Sequence, residues 1–539
     1  MSAAGKRRPE VPGPLTRRSF ITRTAALAAA VPALGSGVLA QPTARRRPWR
    51  IPVAVQPQEA PLHDLEVWEA ADLLRRGAIS PVELAEATLA RIEAVEPRVL
   101  AFANRYPPDE VLAQARRAAD EIPSGGYRGP LHGIPVGVKD ICLTEGKVTE
   151  GNSKLYTGFV PSFDATVVAR LKAAGAVIVG KAGTSELATG SAWPARNPWD
   201  LGRSPGGSSS GSAAGVAASE FMIGIGTDTG GSIRGPAANC GLTGFKPTYG
   251  TVSLHGVLPL AWSMDHVGPL VRSARDAALV VDALGGDDPL DPHTRKVAGY
   301  RLAEGLVWEP TGRPLEGVVV GVPAQDDYLL GVPNDEEVAA FREAIDVIRS
   351  LGATVRTVRT RVLLPGLTST TSFYLIIRSA EVAAYQYENL LTQPENMSGP
   401  YLSRVSSGVL MPGHAYAQAQ RVRRLWRDRL LTVFDEVDVL LHPADDIAGI
   451  RRDELEDLRE EREDAEDGSR AARPSSGSKT NIWNLSGAPA VAVPTGFSSA
   501  ENMPLSMQVA AYPGRDDIVL RVADAFQQAT AHHRARATL

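Results

Sequence analysis

At 539 residues the chain is long enough to bury a large core, as one domain or two, and its formal net charge of −4 gives no basic excess to attract nucleic acid. Two cysteines, Cys142 and Cys240, exclude a disulfide scaffold and a thiolate metal cage. Hydrophobic residues at 43% and charged residues at 22% are ordinary for a globular enzyme or binding protein, and no apolar stretch beyond the N-terminal segment has the length to cross a bilayer.

In chain order, residues 1–40 read as a twin-arginine signal peptide: Arg17-Arg18 precede an apolar stretch from Ala25 to Leu39, with Ala40-Gln41 as the cleavage point. The expectation is export to the periplasm or the medium through the twin-arginine translocase. Residues 41–60 follow as an extended leader, and 61–539 as a single domain. Helical periodicity begins near Val67. Ser80-Pro81-Val82-Glu83 then sets a capping serine, a proline at the first helical position and a glutamate three after the cap. A second helix is expected over Pro108–Ala119.

Short apolar runs then alternate with helices. Ile134–Val138 reads as a strand, Asp164–Ala174 as a helix, Ala176–Gly180 as a strand, Gly211–Ala218 as a helix and Met222–Gly226 as a strand. Alternation of this kind predicts an α/β layered domain around a buried mixed sheet. Gly317–Pro323 reads as a further strand and Asp335–Leu351 as a long amphipathic helix. From Leu363 to Pro412 aromatic and polar residues interleave without a clear period, so that region is expected to be irregular. Arg451–Arg470 carries ten acidic and five basic residues, and a charged surface insertion is expected near 451–476. Two strands and a closing helix are expected over Ala490–Pro494, Met507–Val509 and Ile518–Phe526.

The chemistry concentrates in two glycine-serine loops. Gly206-Gly207-Ser208-Ser209-Ser210-Gly211-Ser212 and Gly226-Thr227-Asp228-Thr229-Gly230-Gly231-Ser232-Ile233-Arg234 both bring hydroxyls and unobstructed backbone N–H groups together. A serine needs a base to become a nucleophile. His442 sits in an extended Leu-Leu-His-Pro run; His132 is nearer the chemistry, but nothing pairs it with an acid. Ser209 fits G-x-S-x-G formally, yet no apolar strand leads directly into it as that turn requires. Lys139 is the better base. It ends the apolar run Ile134–Val138, where low dielectric would lower its pKa. A strand-end lysine alone is ordinarily a surface or salt-bridge residue; the two serine loops change that weighing.

Together with Gly133-Ile134-Pro135-Val136-Gly137-Val138-Lys139-Asp140 and Gly244-Phe245-Lys246-Pro247-Thr248, these loops resemble the amidase signature family. The resemblance runs from about Leu65 through Asn484-Leu485-Ser486-Gly487-Ala488 and Val493-Pro494-Thr495-Gly496. It implies an α/β fold with a central mixed sheet of about eleven strands and helices on both faces. It also implies a Ser-cisSer-Lys hydrolase of carboxylic amides: Ser232 as nucleophile, Ser208 after a cis peptide bond as proton relay, and Lys139 as base. The backbone N–H groups of Thr229, Gly230, Gly231 and Ser232 become the oxyanion hole on this resemblance, and Thr227 helps hold Ser208 and its loop. Asp228 and Arg234 are expected to pair and brace the turn, with Arg234 as receptor for an anionic substrate the competing reading.

Trp193, Phe373 and Tyr374 are candidates for the substrate pocket. No metal and no cofactor are implied: no H-E-x-x-H is present, and adjacent carboxylates such as Asp445-Asp446 are ordinarily solvated. Cys142 and Cys240 read as core packing. The expected substrate is a small aryl or alkyl amide, a short peptide amide or a carbamate, with esterase side activity, acted on by a monomer or homodimer. The alternatives are a catalytically inactive binding protein and a glutamine-hydrolysing amidotransferase of the A-type.

Overall fold

The apolar runs of the sequence become the middle of one sheet. The computed structural model describes residues 51–55, 60–306, 308–309, 312–324, 327, 335–360, 370–444, 451–452 and 477–539. The expected signal peptide, most of the leader, Asp445-Asp446 and nearly all of the charged insertion lie outside the described residues. Eleven strands pair in the order β1-β3-β2-β4-β6-β5-β10-β11-β9-β7-β8. They are β1 Phe102–Arg105, β2 Pro135–Lys139, β3 Val177–Ala182, β4 Ile223–Thr227, β5 Thr243–Lys246, β6 Val267–Val271, β7 Val319–Pro323, β8 Thr354–Val358, β9 Val439–Pro443, β10 Ala490–Phe497 and β11 Pro504–Ala511. β2, β3 and β4 run parallel, as do β7, β8 and β9, while antiparallel pairs join the remaining strands. The α/β fold with a mixed eleven-stranded sheet is therefore as the resemblance implied.

Central strands are buried on both faces, which is why they read as unbroken apolar runs. Helix boundaries follow local chemistry. Ser80 accepts from Glu83 N at 3.1 Å while Glu83 Oε2 accepts from Ser80 N at 2.7 Å, so the capping box before the helix Pro81–Val99 is complete. The helix Ser210–Ala217 is wholly buried, as an Ala/Gly/Ser face must be when backbone packs this closely.

The expectation of an irregular stretch from Leu363 to Pro412 does not hold. Residues 361–369 lie outside the described ones, but Thr370–Thr392 is a 23-residue helix and Gly399–Val409 a second of 11 residues. The longer helix buries Phe373, Tyr374 and Ile377 at helical spacing, then continues the same side with Glu381, whose carboxylate caps Ser263 N at 3.0 Å. A buried acid on the apolar stripe hides its period from a sequence reading, and only the tertiary partner makes that position tolerable.

Candidate active site

β2 and β4 are adjacent and parallel, with Val138 opposite Ile225, so their carboxyl ends open on the same edge of the sheet. Ligand sites of open α/β sheets form at such edges. Lys139 closes β2 and Thr227 closes β4, and the helix Ser210–Ala217 follows directly from the first serine loop. The Gly207–Ser208 peptide bond is cis.

Lys139 is fully buried, and its Nζ donates to three hydroxyls: Ser208 Oγ at 2.8 Å, Ser209 Oγ at 2.9 Å and Thr227 Oγ1 at 2.8 Å. No carboxylate among the described residues pairs with it. Burial brings its pKa down from the usual lysine range to about 7, against the weaker opposing pull of Cys142, Asp228 and Asp265. Ser208 and Ser209 are themselves buried, whereas Ser232 is half-buried and its hydroxyl forms no hydrogen bond among the described residues. A fixed neutral-capable amine, a buried hydroxyl and an open hydroxyl thus lie on two adjoining loops.

The second loop is held from within. Asp228 and Arg234 are fully buried and form a two-point pair, Nε to Oδ2 at 3.0 Å and Nη2 to Oδ1 at 3.1 Å. Burial alone would raise the Asp228 carboxyl, but Arg234, Lys246 and Asn484 outweigh it and hold it below the usual carboxylate range. Asp228 also accepts from Gly231 N at 2.6 Å and Ile233 N at 3.2 Å. Arg234 spends its remaining donors on Gln508 Oε1 at 2.7 Å and Asn484 Oδ1 at 2.8 Å. The competing expectation for Arg234, as receptor of an anionic substrate, is therefore excluded: a buried guanidinium with this many partners has nothing left to offer a ligand.

Among the four expected oxyanion donors, Gly231 is the exception, because its N–H is committed to Asp228. The N–H groups of Thr229, Gly230 and Ser232 keep no protein acceptor among the described residues. Gly231 is needed as glycine for another reason. Its φ of 128° is costly for other residues, and a Cβ would lie 2.5 Å from Thr480 Oγ1. Thr480 in turn donates to Gly230 O at 2.7 Å. Thr229 donates to Asp265 at 2.5 Å, and Asp265 also accepts from Leu260 N and Ala261 N. Burial lifts that carboxyl to about 6 against those bonds.

Other expectations divide. Thr227 braces Lys139 and Ser209 rather than Ser208. Tyr374 does reach the site: its hydroxyl occupies the space a side chain on Gly230 would fill. Phe373 packs against Trp426, ring centroids 5.8 Å apart, and is core. Trp193 donates to Leu100 O at 2.7 Å beside β1, and its indole is likewise tied into the core rather than the loops. His132 faces Glu121, and His442 accepts from Trp483 Nε1 at 2.9 Å. Both cysteines are buried, with the Cys142 thiol pushed up to about 11. Among the described residues no cluster of His, Cys, Asp or Glu is placed to hold a metal ion, and no helix is long and apolar enough to cross a membrane. The sequence reading missed Ser209 as a partner of Lys139, although its adjacency to Ser208 was a signal. It also missed Thr480 and Asp265, which carry no local mark, and gave no role to Asn484, although that residue opens the closing motif.

Comparison with known proteins agrees with this geometry. The Amidase family profile matches residues 83–520. The chain belongs to the amidase family. The A-type subunit of glutamyl-tRNA(Gln) amidotransferase from Geobacter metallireducens is 38% identical over 510 residues, covering 88% of this chain and 99% of that protein. Among solved structures, a chain from a vestigial protein complex that bears on the origins of an s-triazine catabolic enzyme is 31% identical, with a TM-score of 0.76, covering 88% of this amidase and all of that chain. The 6-aminohexanoate cyclic dimer hydrolase in complex with its substrate is 28% identical, also with a TM-score of 0.76, covering 88% and 99%.

Membership makes this chain a hydrolase of the amidase class. It also overturns the expected localisation. The relatives are A-type subunits of glutamyl-tRNA(Gln) amidotransferase, and nothing in that kinship supports a periplasmic or secreted enzyme.

Proposed function

We propose that this amidase hydrolyses a primary carboxamide of the glutamine type through an acyl-enzyme on Ser232. The observation that carries the reading is Lys139: buried, near neutrality in pKa, and surrounded by hydroxyls instead of carboxylates. A lysine in that state accepts a proton at neutral pH. In the forward step neutral Lys139 draws a proton from Ser208 as Ser208 takes one from Ser232, and Ser232 Oγ attacks the amide carbon. The developing oxyanion is met by the N–H groups of Thr229, Gly230 and Ser232. The C–N bond then breaks, and the proton returns through Ser208 to the leaving nitrogen, which departs as ammonia. Water, deprotonated by the same route, attacks the acyl carbon; the carboxylate leaves and Ser232 regains its proton.

The glutamine-type substrate is supported by the 38% identity to a component of glutamyl-tRNA(Gln) amidotransferase over nearly its whole length. A second reading, a small non-peptide amide, draws on the likeness to 6-aminohexanoate cyclic dimer hydrolase and on the hydroxyl end of Tyr374 against Gly230. The deciding experiment presents glutamine, alkyl amides, anilides and p-nitrophenyl esters to the protein and to Ser232→Ala, with mass spectrometry of products and enzyme. Ammonia release from glutamine with an adduct dependent on Ser232 is the expected result. Turnover that persists in Ser232→Ala refutes the mechanism.

A further inference from the structure

The helix Thr370–Thr392 places Arg378 one turn beyond Tyr374, on the same side. The Arg378 guanidinium lies over the Tyr374 ring, its carbon 5.3 Å from the ring centroid, and the hydroxyl end of that ring rests against Gly230. Arg378 is half-buried, and its Nε is buried without a hydrogen-bond acceptor. Among the described residues it has no carboxylate partner. The neighbouring arginines differ. Arg234 is spent on Asp228, Asn484 and Gln508, and Arg423 on Leu485 O, Ser263 and Asn484 O.

The guanidinium also reaches the Tyr374 hydroxyl, so the tyrosine holds it in place while N–H groups remain for a carboxylate, which a guanidinium takes by parallel bonds. Removing such a donor from water without a partner is costly, so an anion supplied by a ligand is the natural complement. The leaving group adds direction: ammonia departs a primary amide with nothing attached, so an anionic handle must belong to the acyl part.

We propose that Arg378 anchors a carboxylate carried by the acyl part of the substrate, which selects ω-amides of short dicarboxylic or amino-dicarboxylic acids. The proposal rests on the reading of Ser232 as the acylated residue. Its test uses binding, so that it does not depend on turnover.

Ser232→Ala protein is titrated calorimetrically with glutaramate, the monoamide of glutaric acid, and with the methyl ester of the same monoamide. The acid should bind roughly tenfold to a hundredfold more tightly than the ester, the range for a charge-assisted pair. Adding Arg378→Gln should bring the ratio to about one. Arg378→Lys, a charge without the fork, should restore part of it, and circular dichroism checks that each variant is folded. Equal binding of acid and ester, no binding of either, or a preference that survives Arg378→Gln overturns the anchor. An Arg378-dependent preference in a protein that forms no acyl adduct leaves the anchor standing and removes the reaction. Ser232-dependent turnover without any preference for the acid does the reverse.

Discussion

Lys139 and Lys181 sit on neighbouring strands, and both are fully buried, yet their surroundings give them opposite tasks. In the β2–β3 register Lys139 pairs with Ala182 and Val138 with Lys181, so alternation sends the two ammonium groups to opposite faces of the sheet. Lys181 meets Asp140 at 3.6 Å and donates to Cys142 O, Thr144 and Thr149. Burial lowers its pKa, and Asp140 is the main force holding the proton on. Lys139 has hydroxyls alone, which bond equally well to an amine that has given up its proton. A carboxylate partner holds the proton on Lys181; its absence leaves Lys139 able to accept one near neutrality.

Activity should separate the two lysines most widely. Lys139→Ala should lower kcat by about 10³-fold or more, at the upper range for loss of a positioned acid-base group, measured by ammonia release. Full activity in that variant would sink the proton route. Lys181→Met should act on stability instead, costing roughly 3 kcal/mol or more in urea unfolding because Asp140 is left buried without its cation. A stable Lys181→Met protein would mean that Asp140, already lifted to about 6 by burial, simply takes up a proton.

Lys139→Met should do the opposite and stabilise the fold, on the order of 1–3 kcal/mol at pH 7, because a depressed lysine pKa is a folding cost. The sign follows from proton counting. Between about 7 and the unperturbed lysine value the unfolded chain holds a proton that the folded Lys139 has released, so stability contributed by this group rises with pH through that window. The same ionisation shapes catalysis: kcat/KM should rise about tenfold per pH unit below about 7 and level above it. A flat profile from roughly pH 6 to 8 would place the controlling proton elsewhere. The smallest effect is expected of Ser209→Ala, which leaves Lys139 two of its three hydroxyls. It should shift the midpoint of that profile and reduce kcat/KM by about tenfold or less, the scale of one neutral hydrogen bond.

The strand run ending in Lys139 and the glycine-serine loops are legible because they are contiguous, and the backbone conformations they demand are written in glycine. Strands β2, β3 and β4 lie within about two residues of the expected runs, since double-sided burial requires unbroken apolar sequence. The helix Thr370–Thr392 is not legible, since Glu381 interrupts its apolar stripe and is satisfied only by Ser263, Tyr416 and Gln420. Phe373 and Tyr374, adjacent in sequence, both read as pocket residues. About 100° of helical rotation separates them, enough to send one against Trp426 and the other to Gly230.

The family, the sheet, the candidate base and the two candidate serines are legible in the chain alone, because each is marked by residues close along it. Long-range contacts decide how the Gly230 carbonyl is held, that Arg234 is sealed, and that the Tyr374 hydroxyl comes to rest against Gly230. The first two outcomes turn on Thr480, Asn484 and Gln508, which bond across separations of 250, 250 and 274 residues. Hydrogen bonds of that span leave no periodicity or spacing to read, since the fold and not the local chain brings donor to acceptor.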